Sequence, residues 1–454
     1  MAPSRWAGEA MIVALLTASL ALAPQAPQQS QAPQQSQAPA GTAPAAPAQQ
    51  PDAGRPRGIR FVWNDHPSLR AGSQLRVDFL GKFQWDARQP GDDPLAFKST
   101  ELHRARVGIE ARLFRHFEVN LERELTEREI EGRSGRPWKD AYLNVDYTNY
   151  ARVRVGKFKI PFGLEQLTGI SNLDFVYRSL AATHLAPARD VGVMVYGETA
   201  DNRVNYRAGA FRHDGDNARS GRIRGGDETG AVRVTIAPFR RPGRSLLDQL
   251  EIGSAFALSS LSNEESVLPN GLRARTTMSK YLFFEPVFVE GQRRRFEVDA
   301  DWTFESVGLR AEYTDVRDTR SGQGFLDDDL PTARARGWYV SGAYVLTGER
   351  KNRPVNPRRE FARGGAGAVE LVGRYERIWF DSAGGQDEAF RHPRAETILA
   401  SGNRVFTSGV NWYLNPWTKV QVEAVRERLE DPERSPVAEG AAFWSSMMRL
   451  QVTF

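Results

Sequence analysis

The sequence predicts an all-β fold, a sixteen-stranded antiparallel transmembrane β-barrel, on three observations. Apolar and charged residues alternate with period two through sixteen segments between 72 and 454, the pattern that sends successive side chains to opposite faces of a strand. The links are mostly long after odd-numbered segments and short after even-numbered ones. The last segment, 441–454, carries one mainly apolar face (Trp444, Ser446, Met448, Leu450, Val452) and stops at Phe454.

Composition is compatible with this fold. The 454 residues include 26% charged ones, and mean hydropathy is -0.50. In a barrel, lipid-facing and lumen-facing residues alternate and average out, so such a mean does not exclude a membrane. The one sustained apolar run, 10–23, follows Arg5 and ends in small residues, Ala21 and Ala23. It is short for a transmembrane helix and reads as a signal peptide, residues 1–23. Residues 24–71 are an Ala/Pro/Gln-rich disordered linker and lead-in, and 72–454 form the barrel domain. The chain has no cysteine, which excludes disulfides, thiolate metal sites and cysteine nucleophiles. Its net charge of +5 rests on 53 arginines and 8 lysines interleaved with 56 acidic residues. That suits a wet, walled-in charged surface better than a basic nucleic-acid stripe.

The segments follow in order. In 72–86 Leu75, Val77, Phe79, Phe83 and Trp85 alternate with Arg76, Asp78, Lys82, Gln84 and Asp86. In 101–113 Ala105, Val107, Ile109 and Ala111 oppose Arg104, Arg106, Glu110 and Arg112. The pattern recurs at 117–125, 139–147, 151–155, 190–198, 203–211, 228–237, 249–258, 295–303 and 306–316. The last five lie near 336–347, 366–378, 402–414, 417–427 and 441–454. Short links such as Asn415-Pro416 fit the turns at one end of an outer-membrane barrel. Two even-numbered links, 238–248 and 348–365, break the rule. A soluble sandwich also alternates, but the strand number, the export signal and aromatics near segment ends (Trp85, Trp138, Trp338, Trp412, Tyr413, Trp417) favour the barrel.

One stretch, 155–197, leaves the pattern for about thirty residues after Pro161 and Gly163. A link that long is usually functional, and it is expected to fold into the barrel mouth and set what passes.

GKFKIPFGLEQL and YRSLAATHLAPARDVGVMVYG in this stretch resemble the phosphate-selective porin O and P family. KDAYLNV with VRVGKF, LTGERK and NPRREF before GAVELVGRYE, and GVNWYLNPWTKV are similar to it as well, in family order. The resemblance implies a bacterial outer-membrane barrel, a homotrimer, and a third outer loop folded inward as the constriction. It accounts for the long 348–365 turn. Independently, the final amphipathic strand ending in Phe454 resembles the signal by which the bacterial barrel-assembly machinery takes up outer-membrane proteins. Family members bind phosphate through an arginine ladder and a lysine cluster; here 160–197 contains no lysine, and Lys157 and Lys159 stand at its threshold.

With the apolar faces against outer-membrane lipid, the other faces line water. Arg76, Lys82, Arg104, Arg106, Arg112, Arg152 and Arg154 then form a basic wall, joined by Lys157 and Lys159, while Glu118, Glu122, Glu124, Asp140, Asp146, Glu297, Asp299 and Asp301 form an acidic one. Rings of arginine favour anions; cross-strand pairing that merely keeps the lumen wet stands beside that reading. In the insert, Arg178 and Arg189 are placed to meet an anion, and Glu165 or Asp174 to anchor the loop to the arginine wall. His103 has no serine beside it along its strand, and the other histidines lack metal spacing, so no catalytic site, metal or other cofactor is expected. The sequence thus predicts a passive porin for small hydrophilic solutes or anions, with no nucleic acid as partner. The competing reading is a non-conducting structural or adhesive barrel.

Overall fold

The computed structural model describes residues 58–63, 66–91, 99–126, 129–130, 133–134, 138–216, 228–241, 245–262, 268–385, 387–437 and 442–454. The expected signal peptide and most of the linker, 1–57, lie outside the described residues.

Sixteen strands form the wall. They are β1 (Leu75–Pro90), β2 (Ser99–Leu113), β3 (Phe117–Glu124), β4 (Trp138–Val145), β5 (Arg152–Lys159) and β6 (Arg189–Glu198). Next come β7 (Val204–Phe211), β8 (Thr229–Ile236), β9 (Glu251–Leu261), β10 (Gly291–Phe304) and β11 (Val307–Arg320). The last are β12 (Leu330–Val345), β13 (Ala368–Ser382), β14 (Ser401–Tyr413), β15 (Thr418–Leu429) and β16 (Phe443–Thr453). Each pairs antiparallel with the next, and β16 closes on β1 from Ser445↔Pro90 to Thr453↔Lys82. Closure satisfies every wall strand on both edges, the condition a sheet must meet in lipid.

Each of the sixteen expected segments is a strand. Several run further toward the long links than the alternation suggested: β10 begins at Gly291 rather than 295, and β12 at Leu330 rather than 336. At those ends polar residues occupy both faces, as in Arg293-Arg294-Arg295, so the period fades although the hydrogen-bond ladder continues. Along the wall, Phe79, Val193, Val298, Val340 and Val422 are exposed on the outside, while Gln84, Glu297, Arg374 and Glu423 are buried inside.

The folded unit begins before residue 72, a correction to the expected boundary. Arg60–Trp63 and Pro67–Ala71 form a hairpin whose second strand pairs with β1 from Ser68↔Asp78 to Ala71↔Leu75. The reason is geometric: β1 extends past the end of β16, and the hairpin covers an edge left unpaired. A second difference lies in β2, where the pairing shifts between Gln84↔Arg104 and Trp85↔Leu102. This bulge turns His103 into the lumen against Asp86 at 3.1 Å.

The seam depends on Gly81. Its N–H donates to the Phe454 carbonyl at 2.9 Å, the Phe454 N–H donates back at 3.0 Å, and the Phe454 ring lies where a Cβ would stand. Gly81→Val therefore forces the terminal ring off β1. Urea unfolding of the barrel in lipid vesicles should show a loss below about 1–3 kcal/mol, the usual cost of overpacking a core, because only the far end of a half-exposed terminal ring has to move.

Candidate functional site

Residues 160–188 join β5 to β6. The chain turns at Pro161 and at Gly163, whose φ of 79° favours glycine. It then forms α1 (Leu164–Leu167) and α2 (Leu180–His184), the second capped by Ser179, which accepts from the Ala182 N–H at 3.2 Å. Both ends of the segment stay with the wall they come from: Phe158, Ile160, Phe162 and Ala186 pack with Met194, Phe211 and small residues of β8 and β9.

The middle bonds to strands on the other side of the ring. Glu165 accepts from the Ser179 N–H at 2.7 Å and pairs with Arg374 of β13 at 3.1 Å, while its own N–H donates to Glu312 of β11 at 3.0 Å. The Leu180 and Val176 amides donate to Glu376 of β13 and Glu423 of β15. Asp174 pairs with Lys351 at 2.6 Å and with Arg353 at 3.5 Å, and Lys351 also pairs with Glu370 at 2.5 Å. Burial would push the Asp174 carboxyl up, but Lys351, Arg353 and Arg310 outweigh it and hold it well below the usual carboxylate range. Lys351 and Arg353 belong to the long 346–367 link, so the turn that broke the length rule supplies an anchor for the insert.

Residues 268–290, in the link after β9, pack on the same segment. Leu272, Ala274, Phe283 and Phe284 join Leu180, Ala181 and Leu185 in one buried cluster. Its wall is made by lumen-facing Val316, Ala335, Ile378, Phe380, Val405 and Val425. The expectation that every non-apolar strand face meets water is therefore corrected: near the long links, β11–β15 turn apolar inside because two segments cover them.

Against β1–β7 a cavity of about 230 Å³ remains between wall and insert. The wall contributes Lys82, Arg106, Arg154, Arg189 and Arg207, with Lys159 at the start of the insert; the carboxylates are Glu122 and Asp140. Tyr142, Met194, Pro161, Leu167 and Ile170 supply uncharged lining. Lys82 and Arg106 both pair with Glu122. Arg189 grips Asp140 through two bonds of 3.0 and 2.8 Å. Lys159 donates to the carbonyls of Gln166, Leu167 and Thr168 at 2.7–3.0 Å. Arg154 donates to Asn144 at 2.7 Å and lies 4.1 Å from the Tyr142 ring centre. Arg207 has no carboxylate partner among the described residues, and the charged groups acting on it include the guanidiniums of Arg233 and Arg154.

The expected basic and acidic walls are not separate. Arg112 pairs with Glu118 at 3.0 Å, Arg104 with Glu124 at 3.6 Å, Arg152 with Asp146 at 3.1 Å and Arg76 with Asp78 at 2.7 Å, all outside the cavity lining. Asp299 is held by Arg233, and Asp301 by Arg310 and Arg353. Lys157 pairs with Asp216 at 3.3 Å. Arg178 is not among the cavity residues: it donates to the Glu165 and Thr168 carbonyls at 3.0 and 2.7 Å and holds the insert's own bend. Burial pulls its guanidinium down to about 10, with Arg189 and Arg106 adding as like charges. Arg207 and Tyr142 were missed, although both sit on the non-lipid face of segments that the alternation had found.

Asp86, Glu101 and His103 bring three ligand atoms within 4.8 Å of one another. Asp86 is held by Arg449 through bonds of 2.6 and 2.7 Å, and the Arg88 guanidinium lies beside all three, 2.5 Å from Glu101, 3.4 Å from His103 Nδ1 and 4.0 Å from Asp86.

A family model described as phosphate-selective porin O and P matches residues 77–454. No curated protein sequence matches the chain. Among solved structures, a loop L8 deletion mutant of OmpT, an outer membrane protein of Vibrio cholerae, is 13% identical, with a TM-score of 0.51 over 84% of this chain and 100% of that one. In-vitro folded OmpT in a trimer form is 12% identical, with a TM-score of 0.51 over 84% and 100%. An anion-selective porin from Comamonas acidovorans is 12% identical, with a TM-score of 0.50 over 84% and 100%. At such identities the likeness is one of fold.

His184 gives the docked insert a pH dependence. Burial pulls its imidazole down to about 3 from an ordinary 6.5, Lys280 adding to the effect. A folded value below the unfolded one means that this contribution is full above about 6.5 and is lost as pH falls toward 3. The protection factors of the α2 amides, with the intrinsic pH dependence of exchange divided out, should therefore fall on acidification through that window, by at most about tenfold per pH unit. His184→Gln should flatten the profile.

Proposed function

From the premise that this chain belongs to the phosphate-selective porin O and P family and is an outer-membrane porin, we propose that its water-filled channel prefers anions. The observation that carries this is the cavity beside the insert, where six cations meet two carboxylates. Within low-dielectric walls such an excess raises the local concentration of anions and sets a barrier to cations. Among solved neighbours, one is named an anion-selective porin.

In this reading 160–188 is the third outer loop, folded inward as the constriction, and the long links face outward. Lys82, Arg106, Arg154, Lys159, Arg189 and Arg207 tune the passage; Glu165 and Asp174 fix the loop. Arg76, Arg104, Arg112, Arg152, Lys157 and Arg178 hold the wall and the insert in shape. The solute is a small hydrophilic anion, phosphate or another oxyanion, and passage is passive, without catalysis or cofactor. We further propose export through residues 1–23, assembly through Phe454, and a homotrimer, a form in which one neighbour, OmpT, has been described.

The apolar packing over β11–β15 favours a second reading, a plugged barrel of structural or adhesive role. Planar bilayers separate the two. The porin reading predicts discrete conductance steps and an anion-directed reversal potential in a salt gradient, and Arg207→Glu should move that potential toward cations while leaving the steps intact. Absence of steps would give the barrel its structural role, and a zero or cation-directed potential would remove the anion preference.

A further inference from the structure

The outside of the wall carries a charge pattern that the channel does not use. On β10, β11, β12 and β14 the outward face runs from apolar residues through an aromatic or polar one to arginine as it nears the long links, while on β13 Trp379 and Asp381 follow Arg377. It reads Val298, Phe296, Arg294 on β10; Tyr313, Asp315, Arg317 on β11; and Val340, Trp338, Arg336, Arg334 on β12. β14 gives Phe406 then Arg404, and β15 gives Ala424, Arg426, Arg428.

The registers set these arginines side by side. Arg294 stands opposite Arg317, and Arg317 opposite Arg334. A second row runs Arg377↔Arg404↔Arg428. Like charges directly opposite on neighbouring strands destabilise a sheet, so two consecutive rows of three need something that offsets the repulsion. Carboxylates do so in part: Asp315 bonds Arg317 at 2.9 Å, and Glu430 bridges Arg377 and Arg404 at 2.7 and 2.8 Å. Arg294 reaches the Gln292 amide oxygen at 2.8 Å, and neither it nor Arg334 nor Arg428 has a carboxylate partner among the described residues. Neighbouring guanidiniums lie over rings: Arg377 is 4.6 Å and Arg336, which also pairs with Asp381, 5.1 Å from the Trp379 ring centre, and Arg426 is 5.7 Å from that of Trp444.

We propose that this face binds the phosphates of an anionic lipid headgroup in the outer leaflet, the phosphorylated glycolipid of that leaflet. Strands about 4.8 Å apart place opposed guanidiniums at a spacing that one phosphate can bridge, and arginine's planar fork pairs with phosphate through two bonds. The position fits as well. The aromatic residues mark the membrane–water boundary of a barrel, and the arginines lie just beyond it, at the end that the preceding reading turns outward. Acyl chains below would lie on the apolar band while the headgroup phosphates sit between rows. Among the described residues the opposite side of the wall lacks the pattern: β2 to β4 offer Arg123, 5.7 Å from the Trp138 ring centre.

The test uses the full chain folded in detergent micelles and titrated with lipid A carrying two phosphates, with the same lipid stripped of phosphate, and with inorganic phosphate. Binding is read by retention of lipid on the purified barrel. The triple variant Arg294→Gln, Arg334→Gln, Arg428→Gln removes the three arginines without a carboxylate partner and leaves the lumen untouched. Heat-modifiable gel migration and unchanged conductance certify its fold. The proposal predicts that the bisphosphorylated lipid binds at least about tenfold more tightly than the stripped one, and that the variant loses about tenfold or more. Arg123→Gln, on the other side, should change binding less than twofold. Equal binding of both lipids, or of variant and parent, overturns it. So does full competition by inorganic phosphate at lipid concentration, which would make this a free-anion site, and so does dissociation of an oligomer in the variant without loss of lipid, which would give the face to a second copy of the chain. A zero or cation-directed reversal potential in the channel experiment would leave this result unaffected.

Discussion

The architecture depends on a set of buried ion pairs that tie the 160–188 segment across the barrel. Asp174 with Lys351 and Glu370, and Glu165 with Arg374 and Glu376, take charge out of water on both partners. Such pairs gain little over an apolar contact, but removing one partner leaves an uncompensated charge and costs about 3–5 kcal/mol. They act less as glue than as fasteners: the segment has one place where all its charges are matched. The barrel supplies that place because lumen faces of β11, β13 and β15 carry carboxylates at heights where the insert offers backbone N–H groups.

That fastening divides the interior. On the side of β11–β15 the insert and residues 268–290 bury an apolar cluster, so this part of the lumen is filled by protein. On the side of β1–β7 the same crossing leaves a cavity whose wall is charged. The asymmetry follows from sequence: the insert's Leu180, Ala181 and Leu185 lie on one flank, and Lys159, Pro161, Leu167 and Ile170 on the other. Charges along the open side act in a narrow, weakly screened space, where an excess of four cations over carboxylates has far more effect than at an exposed surface.

Much of this was legible in the sequence, and what was not has specific causes. Period-two alternation located every wall strand because lipid imposes an apolar face on each. It failed at the strand ends beside long links, where Arg294 and Arg334 lie beyond the apolar band and no lipid constraint applies. The third link stood out by length alone; Glu165 and Asp174 pair with Arg374 of β13 and with Lys351 and Arg353 of the 346–367 link, not with the arginine wall of the early strands at which they were expected. The apolar lining was hidden because its signal is a break in alternation, Ile378-Trp379-Phe380, which reads equally as a strand end. Pairing was hidden for a different reason: whether Arg106 faces an anion or Glu122 depends on register between strands, and a single strand's pattern carries no register. The lead-in hairpin escaped because its residues follow a Pro-rich stretch and pair only with the first four residues of β1.

If the segment fastened across the lumen sets the size and charge of the passage, releasing it must change both. Single-channel recording of a variant with both fasteners removed, Glu165→Ala with Asp174→Ala, tests it most directly. Release of the segment should raise conductance, add fluctuation between levels and bring the reversal potential toward zero, while the barrel keeps its heat-modifiable migration. Conductance and reversal potential equal to those of the parent would contradict the claim.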